Sequence, residues 1–194
     1  MRFVEGCDFL RFLNKLRNII RSWLGVDYGP TIADMVDMGM KVGKNFSAEK
    51  ARIDVSHCWL ISIGDNVTLA PNVYLLAHDA STKRHLGYTK IGKITIGNNV
   101  FVGADTVVMP DVKIGDNSII GTRSVVTKDV PDNTVYAGNP ARFICTLEDY
   151  LKKNEAKMKS RPVYDESYTL GGNINKSQKE QMVSELEDGI GYVK

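Results

Sequence analysis

The chain of 194 residues has few cysteines, little net charge and no long apolar run. Its three cysteines, Cys7, Cys58 and Cys145, match no metal-ligand spacing, so we expect a reducing, cytoplasmic environment. The 25 basic and 23 acidic residues leave a net charge of +2, which gives no reason to expect nucleic acid as a partner. No apolar run is long enough to cross a bilayer, and charged residues interrupt the N-terminus too often for a signal peptide.

A six-residue repeat dominates the middle of the chain. Six consecutive hexads over residues 96–131 each open with Ile or Val and have Val, Ser or Thr at the fifth position. Gly usually follows the opening residue, and two hexads over residues 63–74 repeat the pattern from Ile63 and Leu69. A hexapeptide period is typical of a parallel β-helix, so we predict an all-β solenoid.

The repeat also predicts which residues stack. The opening aliphatic side chains should point inward, while Gly, Asn and Asp allow the tight turns at the corners. Three hexads would close a triangular coil, so positions 18 residues apart should lie directly above one another. The predicted stacks are Ile96 on Ile114, Val102 on Ile120, and Val108 on Val126.

Helical segments are expected on both sides of the solenoid. We predict an N-terminal helical cap over residues 1–35, the β-helix over 36–144, and a helical extension over 145–194. Residues 8–24 have the spacing of a basic amphipathic helix, which would cap the solenoid, contact a subunit, or lie on a membrane surface. Near the C-terminus, a capping box headed by Ser177 with Glu180 predicts a helix that ends at Gly189.

One long interruption separates the two sets of hexads. Residues 79–95 read as a polar loop extruded from a regular solenoid, and such insertions often mark functional faces. His78 stands at the root of this loop, where a strand should fix its position. Imidazole is well suited to proton transfer near neutral pH, so His78 is the first candidate for a catalytic residue.

Residues 61–146 resemble the hexapeptide-repeat O-acetyltransferases of the galactoside and maltose acetyltransferase type, and their relatives in surface-polysaccharide synthesis. The shared features are the hexads, the segment Leu76-Ala77-His78-Asp79, and the run Ala137-Gly138-Asn139-Pro140-Ala141-Arg142. The resemblance implies a left-handed β-helix and a homotrimer with each active site between two subunits. It also implies transfer of acetyl from acetyl-coenzyme A to a hydroxyl of a sugar or polysaccharide precursor, without a metal.

The same resemblance assigns roles to individual residues. His78 would be the general base, and the backbone N–H of Ala104 would stabilise the oxyanion. Thr122 lies 18 residues after Ala104, so its N–H should stack one coil away and bind an amide of the pantetheine arm.

The coenzyme groove would continue through Thr127, Lys128 and Arg142. Lys128 and Arg142 would contact the phosphates of the coenzyme. Galactoside enzymes have a second arginine three residues after the position of Arg142, whereas this chain has Cys145 there. The phosphate contacts at the adenosine end are therefore open at this point.

His57 and Asp79 are weaker candidates for the acceptor pocket. Asp79 would orient His78, bind the acceptor, or simply begin the loop. A competing interpretation uses all three histidines, His57, His78 and His85, as the zinc ligands of a γ-carbonic-anhydrase-like enzyme. A non-catalytic scaffold is a further alternative. The sequence also leaves serine, an amino-sugar nitrogen or a xenobiotic open as acceptors.

Overall fold

A computed structural model describes residues 29–194 of the chain. The basic amphipathic helix expected over residues 8–24 lies outside the described residues, so it stays a prediction. Within residues 29–194, no helix is long and apolar enough to cross a membrane.

Short strands make up most of the described chain. In order they are β1 (Lys41–Val42), β2 (Ser47–Ala48), β3 (Arg52–Ile53), β4 (Ile61–Ile63), β5 (Thr68–Leu69), β6 (Tyr74–Leu75), β7 (His78–Asp79), β8 (Lys90–Ile91), β9 (Ile94–Ile96), β10 (Phe101–Val102), β11 (Val107–Val108), β12 (Val112–Ile114), β13 (Ile119–Ile120), β14 (Val125–Val126), β15 (Thr134–Ala137), β16 (Arg142–Thr146), β17 (Val163–Tyr164) and β18 (Tyr192–Val193). The α-helices are α1 (Ile32–Asp37), α2 (Lys83–Leu86), α3 (Leu147–Met158) and α4 (Lys176–Glu185).

Three sheets form the walls of the solenoid. Sheet A has the order β1-β4-β9-β12, sheet B the order β2-β5-β10-β13-β15-β16, and sheet C the order β3-β6-β11-β14. All neighbours pair in parallel except β15 and β16, which pair in antiparallel fashion. The chain visits the sheets in turn, so each coil contributes one strand to each wall. The predicted parallel solenoid is confirmed.

The register of the coils agrees with the hexad spacing. The structure pairs Ile96 with Ile114, Val102 with Ile120, and Val108 with Val126, which confirms the three predicted stacks. These six side chains are buried at 0–2% exposure. Fully burying an aliphatic side chain of this size contributes about 1.5–3 kcal/mol, so their stacking is a main source of stability.

The corners need residues that tolerate unusual backbone conformations and close approach. The fourth residue of successive hexads adopts a positive φ, at Asn66, Asn72, Asn99, Asp105, Asp111, Asn117 and Arg123. The second residue is often Gly because adjacent coils nearly touch there. A Cβ atom on Gly103, for example, would lie 2.5 Å from the amide nitrogen of Thr122.

Two predicted boundaries differ from the structure. Val36, the expected start of the solenoid, lies in helix α1, which begins after a Thr31–Asp34 capping box, and the first strand begins at Lys41. Helix α4 spans Lys176–Glu185. It begins at Lys176 because Asn175 and Gln178 form a capping box two residues before the expected one. Gly189 lies beyond the end of that helix.

The C-terminal region folds beside the last coils. Helix α3 contacts β15 and β16. Strands β17 and β18 pair in parallel, and the Tyr164 hydroxyl donates to Glu185 at 2.8 Å, which ties the small sheet to α4. The Tyr192 hydroxyl contacts the Asn154 side chain at 3.1 Å and ties the sheet to α3.

Candidate active site

The interruption predicted from the sequence is a folded excursion. Stacked residues across it are 33 positions apart, whereas those above it are 18 apart. Strands β7 and β8 form an antiparallel hairpin whose tip contains α2, and Gly87 ends that helix in a left-handed conformation. The excursion ends earlier than the predicted residue 95, because Ile94 is already fully buried in β9.

His78 is held at the base of this hairpin by a buried carboxylate. Its Nδ1 lies 2.5 Å from Oδ2 of Asp54, whose side chain is only 2% exposed. Asp54 directly follows β3, and its Oδ1 accepts a hydrogen bond from the amide of Ser56 at 3.0 Å. Its Oδ2 also accepts from the amide of Ala77 at 3.1 Å, so the carboxylate is fixed from several sides.

This pairing decides what the imidazole can do. An ionised carboxylate only accepts hydrogen bonds, so Nδ1 of His78 must carry the proton that it shares with Asp54. Nε2 of the neutral ring then has a free lone pair, which is the condition for accepting a proton from a hydroxyl. The His78 side chain is 33% exposed, so a substrate can approach it. Asp54 is a positioning residue for His78.

Sequence reasoning missed Asp54. It lies 24 residues before His78, which is not a multiple of the coil length, because the 3-10 helix Val55–Leu60 lengthens this coil. The available signal was a carboxylate directly after the inward-facing Ile53, in a position where the other coils have apolar or small residues. An acid in such a place must find a buried partner.

Two of the three corners differ in how their backbone amides are used. The A–B corner (residues 97–100 and 115–118) connects sheet A to sheet B, and there the amide of Asn98 donates to the Asp116 carboxylate at 2.6 Å. The B–C corner (residues 103–106 and 121–124) has Ala104 and Thr122 at the equivalent positions. Among the described residues, neither the Ala104 nor the Thr122 amide donates a hydrogen bond. Ala104 is half-buried and Thr122 is exposed, and the two residues lie one coil apart on this corner.

The chain is similar to known proteins over its solenoid. Residues 93–128 match the family model described as bacterial transferase hexapeptide (six repeats). Protein CapG of Staphylococcus aureus is 42% identical over 123 residues, which cover 60% of this chain and 71% of CapG. The chain belongs to the hexapeptide-repeat acetyltransferase family.

The chain spans about half the length of the galactoside acetyltransferases that it matches. The galactoside O-acetyltransferase of Escherichia coli K12 is 43% identical over 111 residues, covering 56% of this chain and 54% of that enzyme. A solved structure of galactoside acetyltransferase in complex with coenzyme A superposes with a TM-score of 0.53 at 43% identity, covering 59% of this chain and 58% of that chain.

The remaining coenzyme candidates of this family member lie away from the B–C corner. Thr127 and Lys128 follow β14 and lie on the C–A corner (residues 109–111 and 127–129), which is the corner that His78 occupies in a lower coil. Within one chain they therefore do not share a corner with Ala104 and Thr122, and their contact with the coenzyme stays a prediction. Arg142 is exposed at the start of β16. Neither Lys128 nor Arg142 forms an ion pair within residues 29–194.

The weaker acceptor candidates separate into two groups. The ring of His57 lies 5.2 Å from the ring of His78, so the structure brings these two together. Asp79 instead forms an ion pair with Lys90 at 2.5 Å and accepts a hydrogen bond from the amide of Ser81. The bond from Lys90 is the main reason that the pKa of Asp79 falls to about 2. Asp79 therefore fixes the hairpin rather than orienting His78.

The three histidines do not form one cluster. His85 is exposed on α2, in the hairpin, while ligating atoms of Asp54, His57 and His78 lie within 4.8 Å of one another. This set contains the Asp54 carboxylate in place of the His85 imidazole, so it differs from the predicted alternative of three imidazoles around zinc. Cys58 is buried, and burial raises the pKa of its thiol, which fits a core residue rather than a nucleophile.

Proposed function

We propose that this protein transfers acetyl from acetyl-coenzyme A to a hydroxyl of a sugar or polysaccharide precursor, with His78 as the general base. The observation that supports it most is the Asp54–His78 pair, which leaves Nε2 of a partly exposed imidazole free at the root of the hairpin. The galactoside relatives support a sugar acceptor, and the complex of one of them supports coenzyme A as carrier.

The chemistry follows from the tautomer that Asp54 fixes. Nε2 of His78 takes the proton of the acceptor hydroxyl while the oxygen attacks the carbonyl carbon of the thioester. The carboxylate of Asp54 stabilises the imidazolium that forms. When the tetrahedral intermediate collapses, the carbon–sulfur bond breaks, and the proton on Nε2 moves to the departing thiolate. The products are an acetyl ester and free coenzyme A, and His78 is neutral again.

The free amides of the B–C corner fit the other half of the site. The Ala104 N–H would stabilise the oxyanion, since an amide that has no partner in the ground state needs no rearrangement to bind developing charge. The Thr122 N–H would bind an amide oxygen of the pantetheine arm one coil away. Thr127, Lys128 and Arg142 would contact the rest of the coenzyme, the two cations through its phosphates.

These two halves cannot meet within one chain. His78 extends from the C–A corner, whereas Ala104 and Thr122 lie on the B–C corner, with sheet C between them. A trimer around a three-fold axis would place the C–A corner of one subunit against the B–C corner of the next. We therefore propose a homotrimer in which His78 of one protomer faces Ala104 of its neighbour, and in which Lys128 approaches the coenzyme from the His78 side.

The rest of the proposed architecture follows the family. We propose a left-handed sense for the solenoid. We also propose that the N-terminal segment caps it and that the region after residue 144 is a separate helical extension. His57, beside His78, would border the acceptor.

The test is acetyl transfer from acetyl-coenzyme A to a panel of acceptors, with release of the coenzyme thiol as the measured signal. The panel contains simple glycosides, nucleotide sugars, an amino sugar and serine. His78→Ala should lower turnover by about two to four orders of magnitude, the usual contribution of a general base.

His85→Ala is the matched control, because His85 is an exposed imidazole on the same hairpin. It should retain turnover within about twofold. Equal losses in the two variants would contradict the role of His78, and acetylation of serine or an amine alone would contradict the sugar acceptor.

A further inference from the structure

Trp59 is an exposed tryptophan near the candidate site. The residue is 52% exposed, although an indole of this size normally buries most of its area. It lies in the 3-10 helix Val55–Leu60, between the buried Cys58 and the partly buried Leu60. Since Cys58 points into the core, the chain turns its neighbour Trp59 outward.

The local backbone keeps Trp59 in this position. His57 has non-helical φ and ψ of −138° and 32°, which breaks the 3-10 helix just before Trp59. Gly39 lies against the base of the indole: a Cβ atom on Gly39 would be only 3.1 Å from Cβ of Trp59. Gly39 also has a φ of +111°, a conformation that side chains disfavour. Two segments, the 3-10 helix and the turn at Gly39, therefore fix the position of the exposed indole.

Trp59 connects to the candidate base through a row of rings. Its ring centroid lies 5.5 Å from that of His57, and His57 lies 5.2 Å from His78, with interplanar angles of 52° and 45°. The row begins at the exposed indole and ends at the imidazole that would take the proton. Nδ1 of His57 is buried and has no hydrogen-bond partner within residues 29–194, so His57 contributes a partly exposed ring rather than a structural hydrogen bond.

From this arrangement we infer that Trp59 is the platform on which a cyclic sugar acceptor stacks. The inference rests on the proposed function and adds to it a specificity-determining residue. A pyranose ring has an apolar face of C–H groups and a rim of hydroxyls. The negative face of an indole attracts the C–H face, and the hydroxyls stay free for polar partners. A sugar seated on Trp59 extends over His57 and directs a rim hydroxyl to Nε2 of His78.

A stacking platform distinguishes cyclic from acyclic acceptors, which the general base His78 alone cannot do. A ring acceptor gains the stacking contact, while an acyclic alcohol such as serine gains nothing from it. Loss of the indole should therefore weaken binding of glycosides and leave the chemistry of His78 in place.

The experiment compares Trp59→Ala, which removes the ring, with Trp59→Phe, which keeps one. Methyl β-D-galactopyranoside, the corresponding glucoside and serine are the acceptors, at saturating acetyl-coenzyme A. Trp59→Ala should raise the KM of the accepted glycoside by about tenfold to a hundredfold, as a central aromatic contact is worth about 1.4–2.8 kcal/mol. Trp59→Phe should recover most of this loss, with kcat and the KM of acetyl-coenzyme A within about twofold throughout.

Binding is measured independently of turnover. Trp23 and Trp59 are the two tryptophans of the chain, so Trp23→Phe leaves Trp59 as the single indole reporter. Its emission should change saturably with the glycosides and not with serine. Tyr150→Ala, which removes an exposed aromatic ring on α3, is the matched control and should leave every constant unchanged.

Several results would overturn the inference. One is an unchanged glycoside KM in Trp59→Ala, and another is emission that no glycoside alters. A third is a shift of Trp59→Ala from trimer to monomer by sedimentation, which would make Trp59 a subunit contact. If the wild type acetylates serine alone, with a KM that Trp59→Ala leaves unchanged, the sugar platform fails while acetyl transfer stands. If the wild type acetylates nothing, the proposed function fails, and the emission titration alone decides on Trp59.

Discussion

The A–B and B–C corners are built from the same hexad, but their third-position amides are used differently. At the A–B corner, which we call closed, these amides are hydrogen-bonded to side chains of the next coil. At the B–C corner, which we call open, the Ala104 and Thr122 amides have no hydrogen-bond partner within residues 29–194. At the A–B corner, side chains from successive coils accept the third-position amides: Asn98 accepts from Asp65, Asp116 from Asn98, and Asp132 from Asp116. A ladder of Asn side chains runs beside them through Asn45, Asn66, Asn99, Asn117 and Asn133. The polar groups of that corner are used for stability.

The B–C corner has no such acceptor at the third position. Its residues there are Pro71, Ala104 and Thr122, and none of them has a carboxylate or carboxamide side chain that could bind the amide below. A single side chain per coil therefore decides whether a corner of the solenoid is a structural ladder or a row of free donors. The free donors are available for a ligand.

The largest effect should come from removing one free donor. Ala104→Pro deletes the N–H, and the backbone should tolerate it because Pro71 occupies the same hexad position one coil below and Pro110 does so at the C–A corner. If this N–H stabilises the oxyanion, turnover should fall by about two to three orders of magnitude. Steady-state kinetics measures the fall, and thermal unfolding shows whether the fold is kept. A stable Ala104→Pro variant with normal turnover would refute the oxyanion role.

An intermediate effect should come from converting the open corner into a closed one. Thr122→Asp places a carboxylate 18 residues after Ala104, in the relation that Asp116 has to Asn98, so it should accept the Ala104 amide. Because the Ala104 amide is then occupied, we expect turnover to fall, though less than in Ala104→Pro, since the new bond can be displaced. We also expect the KM of acetyl-coenzyme A to rise about tenfold or more, while the melting temperature rises by about 1–3 °C.

Thr122→Asn separates capping from charge. Its side-chain oxygen can cap the same amide without repelling the phosphates of the coenzyme. If only Thr122→Asp raised the KM of acetyl-coenzyme A, charge rather than capping would explain the effect. The free amides of the B–C corner would then have no role in coenzyme binding.

The smallest effect should come from opening the closed corner. Asp116→Ala removes the acceptor of the Asn98 amide and of its side-chain Nδ2, at 2.6 and 3.3 Å. Both bonds are near the surface, so we expect a loss of about 1 kcal/mol and a melting temperature lower by about 2–4 °C. The kinetic constants should not change. A rise in the KM of acetyl-coenzyme A would mean that the A–B corner also contributes to the coenzyme site.

How far the sequence predicts the structure depends on whether the contact is repeated. Ile96 and Ile114 could be paired from spacing alone, because every intact coil has the same length. Val36 could not be placed, since a Thr31–Asp34 capping box starts a helix there and overrides the weak pattern of the first coil. Likewise, the competition between Ser177 and Asn175 for the cap of α4 depends on which side chain reaches the free amides.

The sequence by itself determined the period, the inward residues, the stacking partners and the position of His78 at the interruption. These follow from local chemistry, since a hexad with a buried first residue and a turn-forming fourth residue has few ways to fold. Only the tertiary structure decided that Asp54 meets His78, that Trp59 and His57 line up beside it, and that Ala104 and Lys128 lie on different corners. The physical reason is that an irregular coil breaks the period of 18, so the position of its side chains is set by packing in three dimensions rather than by spacing along the chain.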